Sequence, residues 1–381
     1  MNRPKTTKMQ GLLKLGQSVW LDYLHRGMIR SGELQTLIDD GLRGMTSNPT
    51  IFEQAIAGST DYDDEVARLS SAAQTDREVL ETIAIEDVRE AADLFRPLYD
   101  STDGGDGFVS LEVSPQVARD TEGSVNEARR LWKTVDRPNV MIKIPGTREG
   151  WPAIERCLSE GININITLLF SVEHYQAVAD AYLRALEARV EQGQPIARVA
   201  SVASLFLSRV DTEVDNRLQA RGGPWLDLQG KVAIASARLA YAAYLDMTRS
   251  ARWLGLEAKG AHRQRLLWAS TGTKNPAYSD VLYVESLIGP DTIATVPPET
   301  LRLFEDHGRI RETLTAYAAG DARRIMDALP EAGISLEGVT RTLEDEGIGK
   351  FAKSFDTLLT AIGRKRARLA PGSTADPFIS A

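Results

Sequence analysis

The chain alternates short apolar runs of β-strand character with longer segments of helical periodicity. Eight such runs occur in order: SVWLDY (18–23), LRGMTS (42–47), GFVSLEVS (107–114), NVMIKIP (139–145), GININITLL (161–169), IARVASVASLF (196–206), QRLLWAST (264–271) and DTIATV (291–296). Strands that alternate with helices are typical of a parallel sheet, and eight such units predict an α/β fold, a closed (β/α)8 TIM barrel with extra helices. An open doubly wound sheet is the alternative, but the first run lacks the glycine-rich turn that usually follows it.

The fifth run, residues 161–169, alternates between two different faces without interruption. Isoleucine occupies positions 162, 164 and 166, whereas Asn163, Asn165 and Thr167 share the opposite face. A strand buried on both sides usually reads as a continuous apolar run. In a closed barrel we therefore expect the isoleucines to pack on the outer helices and the polar face to look inward. Asn165 and Thr167 would then lie at the carboxyl end near a substrate, with Asn163 one layer deeper in a structural role.

The length and composition fit one large barrel with additions. The 381 residues are 43% apolar and 26% charged, which is ordinary for a soluble globular protein. We expect residues 1–369 to form a single barrel domain, with helical insertions after the second run and before the seventh, the latter a long helix over 231–254. The segment APGSTADPFISA (370–381), rich in proline, glycine and serine, is expected to be a flexible tail.

Charge and cysteine usage narrow the range of partners and compartments. The net charge of −8 argues against nucleic acid, and the one basic run, GRKRAR (363–368), is expected to be the solvated end of a last helix. No apolar run reaches the roughly 18 residues of a membrane span, and none follows the basic start MNRPKTTKMQ, so we expect neither membrane association nor a secretory signal. The single cysteine, Cys157, excludes an intrachain disulfide and fits a cytoplasmic protein.

Familiar metal and hydrolase motifs are missing from the sequence. The four histidines are scattered, without the spacing of a transition-metal site, so we expect no metal. The segment STDGGDG (101–107) lacks the later ligands of a calcium loop and is interpreted as a turn before a strand. No G-x-S-x-G elbow occurs, which argues against a serine hydrolase.

Polar residues recur near the ends of the predicted strands, where a parallel barrel carries its catalytic groups. This repetition is worth more than any single residue, because each alone has a plain structural explanation. The candidates are Asp22, Asn48, Glu112, Lys143, Asn165, Thr167, Ser204 and Ser270.

Lys143 is the sharpest candidate, because it lies inside the apolar run VMIKIP. Desolvation lowers the pKa of an amine from about 10.4 toward 7 or 8 in reactive cases, which leaves a nucleophile that can form a Schiff base with a carbonyl. The alternative is a strand-end lysine paired with Glu112 or Asp22. Those two carboxylates could in turn divide proton transfers between them, or serve only as salt-bridge partners or helix caps.

The remaining candidates suit a polar, phosphorylated ligand. Asn165 and Thr167 lie about 6.6 Å apart along one strand face and could hold a polyhydroxylated molecule, or form a buried polar pair or water site. The segment TSNPT (46–50) reads either as a site for Asn48 or as a turn in which Thr46 or Ser47 caps a helix. Arg209 is a natural phosphate clamp, and ASTGTKNP (269–276) places Ser270 and Lys274 after the seventh strand, where barrels often bind phosphate, although a plain turn is the alternative.

Three segments in order resemble the transaldolase family. GMTSNPTIF (44–52) is similar to the family signature, VMIKIPGT (140–147) to its Schiff-base lysine segment, and NITLLFS (165–171) to its Asn-x-Thr strand. The resemblance runs from about residue 16 to 359 and is closest to the longer bacterial branch. It implies a (β/α)8 barrel without cofactor that transfers a dihydroxyacetone unit between sugar phosphates in the pentose-phosphate pathway. It leaves open whether the enzyme is a monomer or a homodimer.

The resemblance also assigns roles to the candidates, position by position. Lys143 matches the lysine that forms the imine with the donor C2, and Asp22 matches the carboxylate that handles the proton of the C4 hydroxyl. Glu112 and Thr167 match the pair that relays protons through a water molecule during imine formation.

The other matching positions bind substrate. Asn48 and Asn165 match amides that hold donor hydroxyls and the retained three-carbon enamine, and Ser204 and Arg209 match a wall and phosphate-binding segment. Shorter members carry an arginine two positions after the serine matching Ser270, but this chain has Gly272 there. We expect Lys274 to supply the missing charge, because lysine binds phosphate as a point charge.

Two other functions remain as alternatives. One is a class I aldolase that cleaves fructose 6-phosphate outright; relatives of that type place a tyrosine in the proton-transfer role, whereas VSLEV here keeps Glu112. The other is a non-catalytic sugar-phosphate-binding barrel, which would have no need of an imine-forming amine.

Overall fold

A computed structural model describes residues 6–70, 74–315 and 318–369 of the chain. All eight predicted strands are present, and each pairs in parallel with the next until the eighth closes on the first. The strands are β1 (Gln17–Asp22), β2 (Leu42–Thr46), β3 (Phe108–Glu112), β4 (Val140–Pro145), β5 (Ile164–Leu169), β6 (Ser201–Phe206), β7 (Arg265–Ala269) and β8 (Thr292–Val296). The prediction of a (β/α)8 TIM barrel with extra helices is therefore confirmed.

Helices connect the strands and surround the barrel, together with two short 3₁₀ helices, Pro115–Val117 and Gly223–Leu228. The α-helices are α1 (Lys8–Lys14), α2 (Arg26–Ser31), α3 (Glu33–Asp39), α4 (Pro49–Ala57), α5 (Asp63–Ser70), α6 (Asp76–Ser101), α7 (Thr121–Val135), α8 (Gly150–Ser159), α9 (Val172–Glu191), α10 (Ser208–Arg221), α11 (Val232–Arg249), α12 (Ala251–Glu257), α13 (Leu282–Ser286), α14 (Pro298–His307), α15 (Ala318–Glu331) and α16 (Leu336–Leu369).

The strand register brings the polar candidates to one level of the barrel. Glu112 pairs with Lys143, and Lys143 pairs in turn with Asn165, so three neighbouring strands present these side chains in one row. Asp22 pairs with Thr46 on the other side of β2. Because side chains alternate between the two faces of a strand, residues paired in this way point to the same side of the sheet.

The sequence predicts that the alternation of the fifth run continues to residue 169, but in the structure it ends at Thr167. Leu168 has a positive φ of 59°, and the register between β5 and β6 shifts between Ile166 and Leu169. Leucine rarely adopts this left-handed conformation, so the backbone beside Thr167 is strained.

The predicted helix over 231–254 is wrong in one respect, because the chain breaks at Ser250. This residue has extended backbone (φ −66°, ψ 145°), and its hydroxyl accepts a hydrogen bond from the backbone N–H of Trp253. Serine is a favoured N-cap, and the buried Trp253 anchors the new direction. Two helices, α11 and α12, therefore replace one.

The basic run at the end of α16 is not simply solvated, contrary to expectation. Lys365 is only 9% exposed; its Nζ donates to the carbonyl of Ser59 at 2.7 Å and forms an ion pair with Asp63. Arg368 lies 2.6 Å from the same carboxylate, and Arg366 pairs with Asp76. The acidic first turns of α5 and α6 thus neutralise the run and fasten the C-terminal helix.

The segment 101–107 forms a turn, as predicted, and its Asp106 accepts a hydrogen bond from the Ser18 hydroxyl at 2.8 Å and pairs with Arg265. The predicted flexible tail, residues 370–381, lies outside the described residues. Within the described ranges, no helix is long and apolar enough to cross a membrane.

Candidate active site

The polar face of β5 divides into a structural part and a part that faces a cavity. Asn163 precedes the strand; its amide donates to the carbonyls of Pro138 and Val140, and its oxygen accepts from the backbone N–H of Ala200. These three bonds join the amino-terminal ends of neighbouring strands, far from the strand ends that carry the other candidates. Asn163 therefore has a structural environment.

Asn165 lies in the barrel interior and is held by two serines. Its amide nitrogen donates to Ser110 Oγ at 3.0 Å, and its oxygen accepts from Ser204 Oγ at 2.7 Å. The side chain is thus held by β3 and β6 together. Thr167, two residues further, is buried, and its hydroxyl has no hydrogen-bond partner among the described residues.

Lys143 is both desolvated and paired. Its side chain is 6% exposed; Nζ lies 3.1 Å from Oε2 of Glu112, whose side chain is also 6% exposed, and donates to the carbonyl of Ser47 at 3.0 Å. The ion pair that the sequence left as an alternative is therefore formed. It does not rule out a reactive amine, because the carboxylate beside it can accept the ammonium proton.

Glu112 is the most perturbed carboxylate next to the lysine. Burial raises the pKa of Glu112 above its ordinary range, the nearby Lys143 opposes this rise, and the charge of Asp22 adds to it. A carboxylate in this position exchanges a proton closer to neutral pH than an exposed glutamate does.

Asp22 and Asn48 are both held in place by neighbouring groups. Thr46 Oγ1 donates to Asp22 Oδ1 at 2.8 Å. Asn48 is the N-cap of α4, and its oxygen accepts from the backbone N–H of Ile51 at 3.0 Å. The cap is therefore Asn48 itself, and not Thr46 or Ser47, whose hydroxyls donate instead to Asp22 and to the carbonyl of Ser110. This leaves the Asn48 amide nitrogen as a donor.

A cavity of about 320 Å³ at the carboxyl ends of the strands collects nine of the ten predicted site residues. They are Asp22, Asn48, Lys143, Asn165, Thr167, Ser204, Arg209, Ser270 and Lys274. The tenth, Glu112, does not line this cavity. It faces a smaller neighbouring one of about 70 Å³, lined also by Arg77 and Glu127, and contacts the lysine from behind.

The cationic residues lie toward the mouth of the cavity. The guanidinium of Arg209 is stacked between the rings of Phe206 and Phe351, at 5.1 and 5.5 Å from their centroids. One of its terminal nitrogens is buried without a hydrogen-bond partner in the part of the chain that the structure describes, and burial lowers the pKa of Arg209. A guanidinium held in this way presents donors to an anion. Lys274 is exposed at the rim.

Several residues of the site escape the sequence analysis. Thr46 contacts Asp22, and Ser110 contacts Asn165. Each lies two residues before a recognised candidate, Asn48 or Glu112, and this spacing along the chain could have revealed them. Phe351 lies on α16, more than a hundred residues after Arg209, and no local pattern connects the two. Among the described residues, no group of three or more His, Cys, Asp and Glu side chains is arranged to hold a metal.

Comparison with known proteins gives a consistent family. A family model described as Transaldolase/Fructose-6-phosphate aldolase matches residues 19–362. The chain is 48% identical over 358 residues to a protein of Saccharopolyspora erythraea named Transaldolase, with 93% of this chain and 97% of the relative covered. It is 45% identical over 378 residues to the Transaldolase of Trichodesmium erythraeum, covering 96% and 99%, and 48% identical over 365 residues to that of Acidothermus cellulolyticus, covering 95% and 98%.

Proposed function

The chain belongs to the transaldolase/fructose-6-phosphate aldolase family, and from this premise we propose that it is a transaldolase that works through an imine on Lys143. The enzyme transfers a dihydroxyacetone unit from sedoheptulose 7-phosphate or fructose 6-phosphate to glyceraldehyde 3-phosphate or erythrose 4-phosphate, in the cytoplasmic pentose-phosphate pathway. The observation that carries this proposal is the buried Lys143–Glu112 pair at the inner end of a cavity lined by Asp22, Asn165 and Thr167.

Imine formation begins with proton transfer between the paired side chains. Glu112, whose pKa is raised by burial, takes the ammonium proton of Lys143, and the neutral amine adds to the C2 carbonyl of the ketose. Loss of water then gives the imine. The Thr167 hydroxyl, which has no partner among the described residues, is available to hold that water while Glu112 returns the proton.

Cleavage requires a base at the C4 hydroxyl and an electron sink at C2. Asp22, oriented by the Thr46 hydroxyl, removes the C4 hydroxyl proton as the C3–C4 bond breaks, and the electron pair moves to the imine nitrogen. The aldose leaves. The three-carbon enamine stays on Lys143, held by the amides of Asn48 and Asn165, until an acceptor aldehyde arrives and the steps reverse.

The phosphate binds at the mouth of the cavity. Arg209, stacked between two aromatic rings, offers donors, and Ser270 and Lys274 line the same cavity. Lys274 stands in for the arginine that shorter members carry at the position of Gly272. If Lys274→Ala left the Michaelis constant for phosphorylated donors unchanged, this assignment would fail.

An assay of products separates transfer from the aldolase alternative. Incubated with fructose 6-phosphate and erythrose 4-phosphate, the enzyme is expected to form sedoheptulose 7-phosphate and glyceraldehyde 3-phosphate in equal amounts. Without an acceptor it should release little dihydroxyacetone, and Lys143→Arg should do neither. Release of dihydroxyacetone at a rate comparable to transfer would assign the chain to the aldolase branch instead.

A further inference from the structure

The cations at the mouth of the cavity belong to two different segments of the chain. Arg209 is the second residue of α10, whereas Ser270 and Lys274 lie on the segment 270–283 that follows β7, here called the β7 segment. α10 and the β7 segment are in contact at their first residues, Ser208 and Ser270. The backbone N–H of Ser208 donates to the carbonyl of Ser270 at 3.1 Å, and the two hydroxyls lie 2.8 Å apart.

Two tyrosines of the β7 segment continue this contact along α10. Tyr283 donates its hydroxyl to Asp211 Oδ2 at 2.9 Å, and Tyr278 donates to Asp215 Oδ2 at 2.6 Å. Asp211 and Asp215 are one helical turn apart, so both face the β7 segment. Tyr278 comes four residues after Lys274 and Ser270 four residues before it, so these two contacts hold the loop that carries Lys274 against α10 on both sides.

The carboxylates of Asp211 and Asp215 are buried and are held by hydrogen bonds. They are 1% and 8% exposed, and within the described ranges neither forms a salt bridge with Lys or Arg. Their second oxygens accept backbone N–H groups, Asp211 from Ala233 at 2.7 Å and Asp215 from Gly230 at 3.0 Å. Burying unpaired carboxylates costs free energy. Two backbone N–H groups and the hydroxyls of Tyr278 and Tyr283 offset this cost, so the two tyrosines are part of what keeps the carboxylates in place.

The surface on which the Tyr278 ring packs requires a glycine. Its ring packs against Gly230, whose φ is +69°, and a Cβ on that glycine would lie 2.8 Å from the ring. The residue opposite Tyr278 therefore has to be a glycine, both for its backbone conformation and for space. The ring and the hydroxyl together fix the β7 segment to α10.

We propose that Tyr278 and Asp215 are positioning residues for the phosphate group of the substrate, since they hold the Lys274 loop at a set position relative to Arg209. This inference rests on the proposed function, in which Arg209 and Lys274 bind that phosphate. Lysine has a flexible side chain that loses conformational entropy when it binds phosphate. Less entropy is lost on binding if the loop that carries the lysine is already held in place. The pair thus compensates for the arginine that Gly272 replaces.

The test is Tyr278→Phe, which removes only the hydroxyl. The affinity for inorganic phosphate, measured by calorimetry, is expected to fall three- to tenfold, and the KM for fructose 6-phosphate to rise by the same factor with kcat within twofold of wild type. Tyr241→Phe is the matched control, because its hydroxyl donates to the carbonyl of Pro290 at 3.1 Å, away from the cavity. It should leave both constants unchanged.

The decisive comparison repeats Tyr278→Phe in a Lys274→Ala background. If Tyr278 acts through Lys274, the second substitution adds no further loss of phosphate affinity. An equal loss in both backgrounds, or a fall in kcat without a change in phosphate affinity, would overturn the proposal. The binding measurement does not depend on catalysis, so an absence of transfer activity in the wild-type protein would refute the proposed function without deciding this inference.

Discussion

Two oppositely charged side chains, Lys143 and Glu112, are buried against each other at the inner end of the cavity. Removing one partner of such a pair leaves an uncompensated charge, which costs about 3–5 kcal/mol in other proteins. A buried ion pair is therefore a poor source of stability. It has a clear use if the proton passes between the two groups during the reaction.

Glu112→Gln should separate these roles. Glutamine can still contact the amine but cannot accept its proton, so kcat is expected to fall by about 10²- to 10⁴-fold. Glu127→Gln is the matched control, because Glu127 lines the same small cavity without touching the lysine. Steady-state kinetics measure both, and a Glu112→Gln enzyme within threefold of wild type would contradict the proton-transfer role.

The two asparagines of the fifth run should respond in opposite ways to substitution. Asn163→Ala leaves backbone groups unpaired at the base of the barrel and is expected to lower the free energy of unfolding by about 1–3 kcal/mol with KM unchanged. Asn165→Ala removes a group that lines the cavity and should raise KM and lower kcat more than stability. Urea denaturation and kinetics of both variants test this, and equal effects on activity would contradict the division.

At the scale of elements, α10 organises its neighbours through Asp211. This side chain accepts the backbone N–H of Ala233 in the first turn of α11, whose own N-cap residue, Lys231, supplies no side-chain hydrogen bond. One buried carboxylate on α10 thus caps a neighbouring helix and also holds Tyr283.

This arrangement has a consequence for stability against pH. Burial raises the pKa of Asp211 from 3.8 to about 6. A raised pKa contributes stability that is present below pH 4 and lost as pH rises through 6, by at most about 3 kcal/mol. The unfolding free energy of wild type minus that of Asp211→Asn should therefore decrease from pH 5 to pH 7. Asp227→Asn, at an exposed site, is the control, and a flat difference would contradict the assignment.

The C-terminal helix is the element that closes the cavity. Its Phe351 covers Arg209, its Ser354 hydroxyl lies 2.9 Å from that of Thr50 on α4, and its end is fastened to Asp63 and Asp76. The fastening points are in the first turns of α5 and α6.

Asp63→Asn should loosen this helix, because the carboxylate pairs with both Lys365 and Arg368. Deuterium uptake over residues 336–369 is expected to rise, and KM for fructose 6-phosphate to increase a few-fold as Phe351 leaves Arg209. Asp64→Asn, exposed and adjacent, provides the control. Unchanged exchange and unchanged KM would show that the ion pairs do not hold the helix over the site.

At the scale of the whole molecule, the barrel was accessible from the sequence because it repeats one local pattern eight times. Apolar runs mark strands buried on both faces, and the inward position of Lys143 and Asn165 follows from period-two alternation. In a closed parallel barrel such residues meet at the carboxyl end. The strands and most of the cavity lining could therefore be predicted.

What escaped prediction depends on contacts between segments far apart in the chain. The ion pairs of Lys365 join residues about 300 positions apart, and the stacking of Phe351 on Arg209 spans 142 positions. The second cavity behind Glu112 requires α6 and α16 to be in place. The left-handed conformation of Leu168 is imposed by the barrel, since leucine itself disfavours it.

Trapping with borohydride shows directly whether Lys143 carries the substrate as an imine. Fructose 6-phosphate is added, the mixture is reduced, and the peptides are mapped by mass spectrometry. We expect a reduced sugar-derived adduct on the peptide that contains Lys143, and none with Lys143→Arg. An unmodified Lys143 in a catalytically active preparation, or an active Lys143→Arg enzyme with the adduct on another lysine, would contradict imine formation at Lys143.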